Sequence, residues 1–102
     1  MTPERPQLVF FTSRRSGPAR RMESLLAHIA RKERDRLRVR KVDVEDRPDL
    51  AERFNVQQVP HLALVVDSRV VSELEGRATA PRIESMLEPH LPDDVEGEAA
   101  VA

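Results

Sequence analysis

A Gly17-Pro18 pair lies between an apolar segment and a helical segment, and this order constrains the fold most strongly. The apolar run from Leu8 to Phe11 is short, which is typical of a central strand buried on both faces. Ser16 is suited to cap a helix, and Pro18 fits the first helical turn, where its missing amide costs no hydrogen bond. The pattern therefore predicts an α/β sheet with the turn at the carboxyl end of a strand, where open α/β folds keep their sites.

Hydrophobic spacing predicts the elements that follow this turn. A helix is expected from about Gly17 to Arg34, because its apolar residues recur at helical spacing at Met22, Leu25, Leu26 and Ile29. The segment from Leu37 to Val44 alternates as a strand does, and a helix crossing between the two strands predicts that they are parallel. A short second helix is expected to start within Glu45 to Pro48.

The second half of the chain predicts a hairpin and a last helix. Two strands are expected over residues 61–66 and 69–75, joined by a two-residue turn at Asp67-Ser68. Gly76 ends the hairpin, and Thr79 is suited to cap the helix that follows. The predicted element order is β-α-β-α-β-β-α.

Several spaced segments with this order resemble the thioredoxin-like superfamily. They are Ser16 to Ala19 in place of the active-site Cys-Gly-Pro-Cys turn, Lys41 to Glu45 at a strand end, Phe54 to Pro60 before a strand, and Gly76 after the hairpin. The resemblance spans residues 8–91 and implies an α/β, thioredoxin-like fold with a four-stranded mixed sheet flanked by helices. We expect a thioredoxin-like domain over residues 1–91 and an acidic, disordered tail over residues 92–102.

The groups that carry thiol–disulfide exchange in that family are replaced in this chain. The sequence contains no cysteine, and Ser16 and Ala19 stand at the two cysteine positions. A serine hydroxyl has no form near neutral pH comparable to a thiolate. Phe10 stands where the family buries an Asp, and Arg15 stands where it has an aromatic residue. The resemblance therefore implies a redox-inactive member that is not a thiol–disulfide oxidoreductase.

The resemblance also implies a groove for a protein or peptide partner. Pro60 matches the cis-proline that faces the active-site turn in the family, where the backbone of the preceding residue pairs with an extended peptide or glutathione. Val59 holds that position here, and backbone pairing requires no cysteine. The expected groove residues are Arg15, Ser16, Gly17, Pro18, Ala19, Val59, Pro60, His61 and Gly76.

Two other uses of the turn remain open at this point. Some glutathione-handling relatives use a serine hydroxyl to donate to the thiolate, so Ser16 is compatible with a low-molecular-weight-thiol binding protein or a transferase-like enzyme. Arg14, Arg15 and Arg20 surround a helix start, where free amides and the helix dipole favour anions. The alternative for these arginines is a solvated basic face.

Other chemistries have less support in the residues. A Ser16–His61 pair indicates a hydrolase only with an acidic partner and an oxyanion motif, which the sequence does not reveal, so His61 is expected to line the groove. His28 and His90 lack ligand spacing, and neither a metal nor a cofactor is expected. The basic residues between positions 31 and 40 are interleaved with acidic ones and lack aromatic neighbours, which argues against a nucleic-acid partner.

Charge and hydropathy limit the remaining classes. A net charge of −1 at pH 7 provides no field that attracts nucleic acid or an acidic membrane. No apolar run approaches the length of a membrane span, and the start of the chain lacks a signal-peptide pattern. We therefore expect a cytoplasmic protein.

Overall fold

The computed structural model describes residues 5–92, and its strands form one mixed sheet in the order β2-β1-β3-β4. β1 pairs in parallel with β2 and antiparallel with β3, and β3 and β4 form an antiparallel hairpin. The strands are β1 at Gln7–Thr12, β2 at Arg38–Asp43, β3 at His61–Val66 and β4 at Arg69–Glu75. The predicted four-stranded mixed sheet is confirmed.

Helices cover both faces of this sheet, which explains why the central strands are so apolar. The helices are α1 at Gly17–Arg21, α2 at Glu23–Lys32, α3 at Pro48–Arg53 and α4 at Ala80–Leu87, followed by a 3₁₀ turn at Glu88–His90. Phe10 of β1 packs with residues of α2 and α4 on one face, and Phe11 packs with residues around α3 on the other. β1 therefore lies at the centre of the molecule, and its carboxyl end is held in a fixed place.

The first predicted helix differs from the structure in its continuity and in its end, whereas the second starts within its predicted range. The expected helix from Gly17 to Arg34 is interrupted at Met22 and ends at Lys32. The Met22 amide donates to the Ala19 carbonyl at 3.1 Å, three residues back, so the regular spacing of four residues is broken there. The second helix begins at Pro48, at the end of the range in which the sequence placed its start.

The turns after β3 and β4 have the left-handed backbone that their positions require. Asp67 and Ser68 have φ values of 52° and 66°, which gives a two-residue turn with both central residues at positive φ. Gly76 has a φ of 79°, a conformation that costs glycine little. The β3–β4 pairing contains an irregularity between Leu64 and Val65, which leaves Val71 as an extra residue in β4.

The described part of the chain holds no helix that is both long and apolar enough to cross a membrane. Of the expected acidic tail over residues 92–102, all but Pro92 lies outside the described residues.

Candidate functional site

The turn after β1 is held by hydrogen bonds from two serine side chains. The Ser13 hydroxyl oxygen accepts the Arg15 amide at 3.1 Å, and the Ser16 amide donates to the Ser13 carbonyl at 3.0 Å. Ser16 then caps α1, because its hydroxyl oxygen accepts the Ala19 amide at 3.1 Å. Local hydrogen bonds therefore position the turn, and they need no disulfide.

Pro60 lies next to the start of this turn. β1 and β3 pair Phe11 with His61, and continuing this register places Pro60 beside Thr12 and Val59 beside Ser13. The Val59–Pro60 peptide bond is cis, and the Pro60 carbonyl accepts the Gly76 amide at 2.9 Å. The sheet thus brings residues 13–19, residues 59–60 and Gly76 to one end of the molecule.

The expected groove residues divide by accessibility. Arg15, Gly17 and Pro18 are exposed, and the Arg15 side chain is 87% accessible. Ser16 and Val59 are half-buried, as is Gly76. Ala19, Pro60 and His61 are buried and support the surface from below.

His61 is buried on the sheet face that α3 covers. Its side chain is 2% exposed, its ring packs edge-on against Phe11, and its Nε2 lies 2.9 Å from a carboxylate oxygen of Glu73. The Ser16 hydroxyl is engaged elsewhere, with the Ala19 amide. The structure therefore gives His61 an acidic partner that the sequence did not reveal, but it does not join His61 to Ser16 as a nucleophile–base pair.

A charge network connects the turn to the loop after β2. Arg15 Nε lies 3.0 Å from Glu45 Oε2, and the Ser13 hydroxyl donates to Glu45 Oε1 at 3.1 Å. Arg14 Nη1 lies 3.4 Å from the Asp46 carboxylate and 3.8 Å from that of Asp43. We call Arg14, Arg15, Asp43, Glu45 and Asp46 the turn network.

Asp43 organises the acidic side of the turn network. Its carboxylate accepts the Glu45 amide at 2.8 Å and the Arg14 amide at 3.2 Å. The hydrogen bond from the Glu45 amide lowers the pKa of Asp43 most, and the Arg14 guanidinium lowers it further against the opposing effect of burial. Asp43 therefore stays ionised to lower pH than an ordinary aspartate.

The arginines of the expected anion site lie beside acidic residues in the structure. Arg14 and Arg15 already face carboxylates of this chain, so an anion would have to displace those partners. Arg20 lines a cavity of about 460 Å³ whose walls also carry the acidic residues Glu23, Asp43 and Asp46. The surroundings of these arginines are therefore mixed in charge rather than basic.

The turn network contains residues that the sequence interpretation missed. Glu45 and Asp46 follow β2, and Arg14 and Arg15 follow β1. Since neighbouring parallel strands end at the same edge of a sheet, an acidic segment after one strand and a basic segment after the other was a usable signal. Glu73 had no such signal, because its contact with His61 depends on the hairpin register.

The chemistry available at this end of the molecule is hydrogen bonding and charge pairing. Within residues 5–92, no group of three or more His, Asp or Glu side chains is placed to hold a metal ion. The hydroxyls of Ser13 and Ser16 serve the backbone of the turn and the Glu45 carboxylate. Both hydroxyls are therefore engaged by groups of this chain.

Comparison with known proteins gives a consistent family. The family profile described as Thioredoxin matches residues 1–89. A thioredoxin of Alicyclobacillus acidocaldarius is 30% identical over 84 residues, which cover 82% of this chain and 80% of the relative. A thioredoxin-like protein of Synechocystis sp. is 31% identical over 87 residues, which cover 85% of this chain and 80% of the relative. The crystal structure of Deadhead, a germline-specific thioredoxin of Drosophila melanogaster, is similar with a TM-score of 0.78 and 26% identity, covering 84% of this chain and 81% of that one.

Proposed function

Because this chain belongs to the thioredoxin family and contains no cysteine, we propose that it is a redox-inactive member that binds an extended segment of a partner protein. The binding surface consists of the Ser16–Ala19 turn and the Val59–Pro60 segment. Disulfide exchange requires a thiolate, which no residue of this sequence supplies. The cytoplasmic location expected from the sequence stays part of this proposal.

One observation at Val59 supports the proposal most directly. Within the described residues, neither backbone group of Val59 has a hydrogen-bond partner, and the residue is half-buried. A half-buried backbone donor and acceptor without partners favour pairing with another chain. The neighbouring Arg15 and Pro18 are exposed, so the approach to Val59 from the turn is open.

The experiment compares captured partners between the parent and a turn variant, Arg15→Glu with Pro18→Glu. Both side chains are exposed, so the change alters the surface and leaves the core intact. Pro81→Glu with Arg82→Glu is a matched control, because it replaces the same residue types, also exposed, in the first turn of α4. Proteins retained from native lysate are identified by mass spectrometry, with and without dithiothreitol.

We expect the parent and the control to retain the same partner, with no effect of the reductant. The turn variant should lose that partner while its thermal unfolding remains like that of the control. If the turn variant retains the same proteins as the parent, partner binding through this surface is refuted. If dithiothreitol releases the partner, the capture depends on disulfides of other proteins and the proposed mode of binding is wrong.

A second candidate function is the binding of a low-molecular-weight thiol such as glutathione. The observation that favours it is the state of Ser16: its oxygen accepts the Ala19 amide, so its own proton is left to donate to a thiolate. A thiol that binds only the folded protein raises the melting temperature of the protein, and the increase grows as the thiol concentration exceeds the Kd. No increase with millimolar glutathione, cysteine or coenzyme A would exclude this candidate.

A further inference from the structure

The cavity of about 460 Å³ that Arg20 lines also contains a buried hydroxyl without a hydrogen-bond partner. The hydroxyl belongs to Thr12, the last residue of β1, which is 3% exposed. Its Oγ1 makes no hydrogen bond with any of the described residues. Buried polar atoms in native structures ordinarily have partners, and a hydroxyl can both donate and accept. Thr12 is therefore available to bond a polar ligand that enters this cavity.

The charged residues around this cavity leave one positive and one negative charge without a counterpart. They are Arg14, Arg20, Glu23, Lys41, Asp43 and Asp46. Arg14 faces both aspartates, so one carboxylate charge is in excess there. Lys41 and Glu23 offset each other at 3.7 Å, and Arg20 pairs with no acidic side chain of the described residues. A ligand that carries both an ammonium and a carboxylate group complements this arrangement, whereas a simple anion complements only Arg20.

A second cavity, of about 450 Å³, adjoins the first and has a largely apolar lining. The two cavities share Glu23 and Lys41. The other residues that line the second cavity are Phe10, Ser24, Leu26, Ala27, Ala30 and Val39. The salt bridge between Glu23 and Lys41 is exposed, and pairs of this kind contribute little to stability, so it can yield to a ligand. An apolar group attached to a charged head in the first cavity can therefore lie in the second.

We propose that the two cavities bind a free α-amino acid with a large apolar side chain. Its carboxylate pairs with Arg20, its ammonium group lies beside Asp43 and Asp46, and Thr12 Oγ1 bonds the same polar end. Its side chain occupies the apolar cavity. A residue inside a peptide carries neither charge at its α-carbon, so an internal segment of a partner protein does not fit. No residue of these cavities belongs to the Ser16–Ala19 turn or the Val59–Pro60 segment, and the inference does not depend on the proposed function.

The test is an NMR titration of the full chain with L-phenylalanine and three analogues that each lack one group. Hydrocinnamate lacks the ammonium group, phenethylamine lacks the carboxylate, and L-alanine lacks the large side chain. We expect phenylalanine to shift the amide signals of Thr12, Arg20 and Lys41 in a saturable way. Each analogue should bind about tenfold more weakly or worse, because it leaves a charged group or the apolar cavity without a partner.

Two variants and a matched control place the binding in these cavities. Arg20→Gln should weaken phenylalanine binding about tenfold, because the carboxylate loses its cation. Arg21→Gln is the control, since Arg21 is the next residue of α1, is also exposed and does not line either cavity. Thr12→Val should weaken binding while it raises the melting temperature, because it removes the buried hydroxyl without a partner. Weaker binding in that variant therefore does not come from unfolding.

The absence of saturable shifts with phenylalanine would overturn the proposal. Binding of hydrocinnamate or phenethylamine as tight as that of phenylalanine would also overturn it, since one of the two charges would then be unnecessary. Equal binding of alanine would exclude the apolar cavity. A loss of binding in Arg21→Gln equal to that in Arg20→Gln would show a general effect of charge, which again contradicts the proposal.

Discussion

Gly17 and Gly76 occupy positions with different steric demands. A Cβ at Gly17 would meet the Arg21 guanidinium at 3.6–3.8 Å, an ordinary contact, whereas Gly76 has a φ of 79°. Gly17→Ala should raise the free energy of unfolding by about 0.4–1 kcal/mol, because alanine restricts the unfolded chain. Gly76→Ala should lower it by about 1–2 kcal/mol, because a side chain disfavours left-handed backbone.

Urea unfolding of the two variants and the parent measures both effects. A loss of stability in Gly17→Ala similar to that in Gly76→Ala would show that the turn needs glycine at position 17 for a reason other than space.

Asp43 makes stability depend on pH in a defined direction. Its pKa is lowered in the folded protein, chiefly by the Glu45 amide, so the unfolded chain binds this proton first as pH falls. The stabilisation from Asp43 is therefore complete above the unfolded pKa of about 3.9 and is lost as pH falls through the lower folded value. Melting temperatures of the parent and Asp43→Asn between pH 2 and pH 6 test this.

The difference in melting temperature between these proteins should narrow as pH falls below about 4, where the parent loses the ionised carboxylate. Asp46→Asn is a suitable control, because it also removes a carboxylate that faces Arg14, but one whose side chain is 60% exposed, against 13% for Asp43. A difference between parent and Asp43→Asn that stays constant across this range would contradict the assignment.

Single residues whose contacts are local were predictable from the sequence, and those with distant contacts were not. Ser16 and Thr79 cap helices through amides three residues away, at Ala19 and Arg82. Arg15, by contrast, meets Glu45, which lies thirty positions later in the chain. Its contact depends on which strands become neighbours, so the sequence suggested a solvated or anion-binding arginine instead.

The β3–β4 hairpin has a turn whose residues are not the best for its geometry. Asp67 and Ser68 both have positive φ, which Asn-Gly adopts more readily. Asp67→Asn with Ser68→Gly should raise the free energy of unfolding by about 0.5–1 kcal/mol, because the left-handed strain at Ser68 is relieved more than glycine costs in entropy.

Chemical denaturation measures this change, and Ser72→Gly within β4 is the control. Glycine inside a strand should be destabilising by about 0.5–1 kcal/mol, so the two serine-to-glycine changes are expected to act in opposite directions. The same sign for both would show that the turn geometry does not limit hairpin stability.

Element types followed from hydrophobic period, but one helix break did not. Met22, Leu26 and Ile29 are buried as the apolar stripe predicted. The interruption at Met22 leaves that stripe intact, because the Leu26 amide still bonds the Met22 carbonyl four residues back at 2.9 Å. At Met22 one backbone hydrogen bond spans three residues instead of four. Hydrophobic periodicity does not reveal such a change, because the same side chains remain buried.

At the scale of the whole molecule, the fold was predictable because one strand determines it. β1 is buried on both faces, so helices must cover both sides of the sheet. The function of the turn was less predictable, because this chain keeps the backbone position of the family's active-site turn but replaces its reactive side chains. The turn keeps its place at the carboxyl end of β1, but Ser16 and Ala19 stand where the family has thiols, and a charge pair between Arg15 and Glu45 lies beside them.

The turn network determines which solution conditions affect the contacts that hold the turn. In a thiol-bearing relative, a covalent bond at this position opens and closes with the electron supply. In this chain, salt bridges at the surface connect the turn to the β2–α3 loop. Dissolved salt screens such pairs and weakens them. We therefore expect these contacts to weaken as ionic strength rises, and we expect no response to thiol oxidants, because the sequence contains no cysteine.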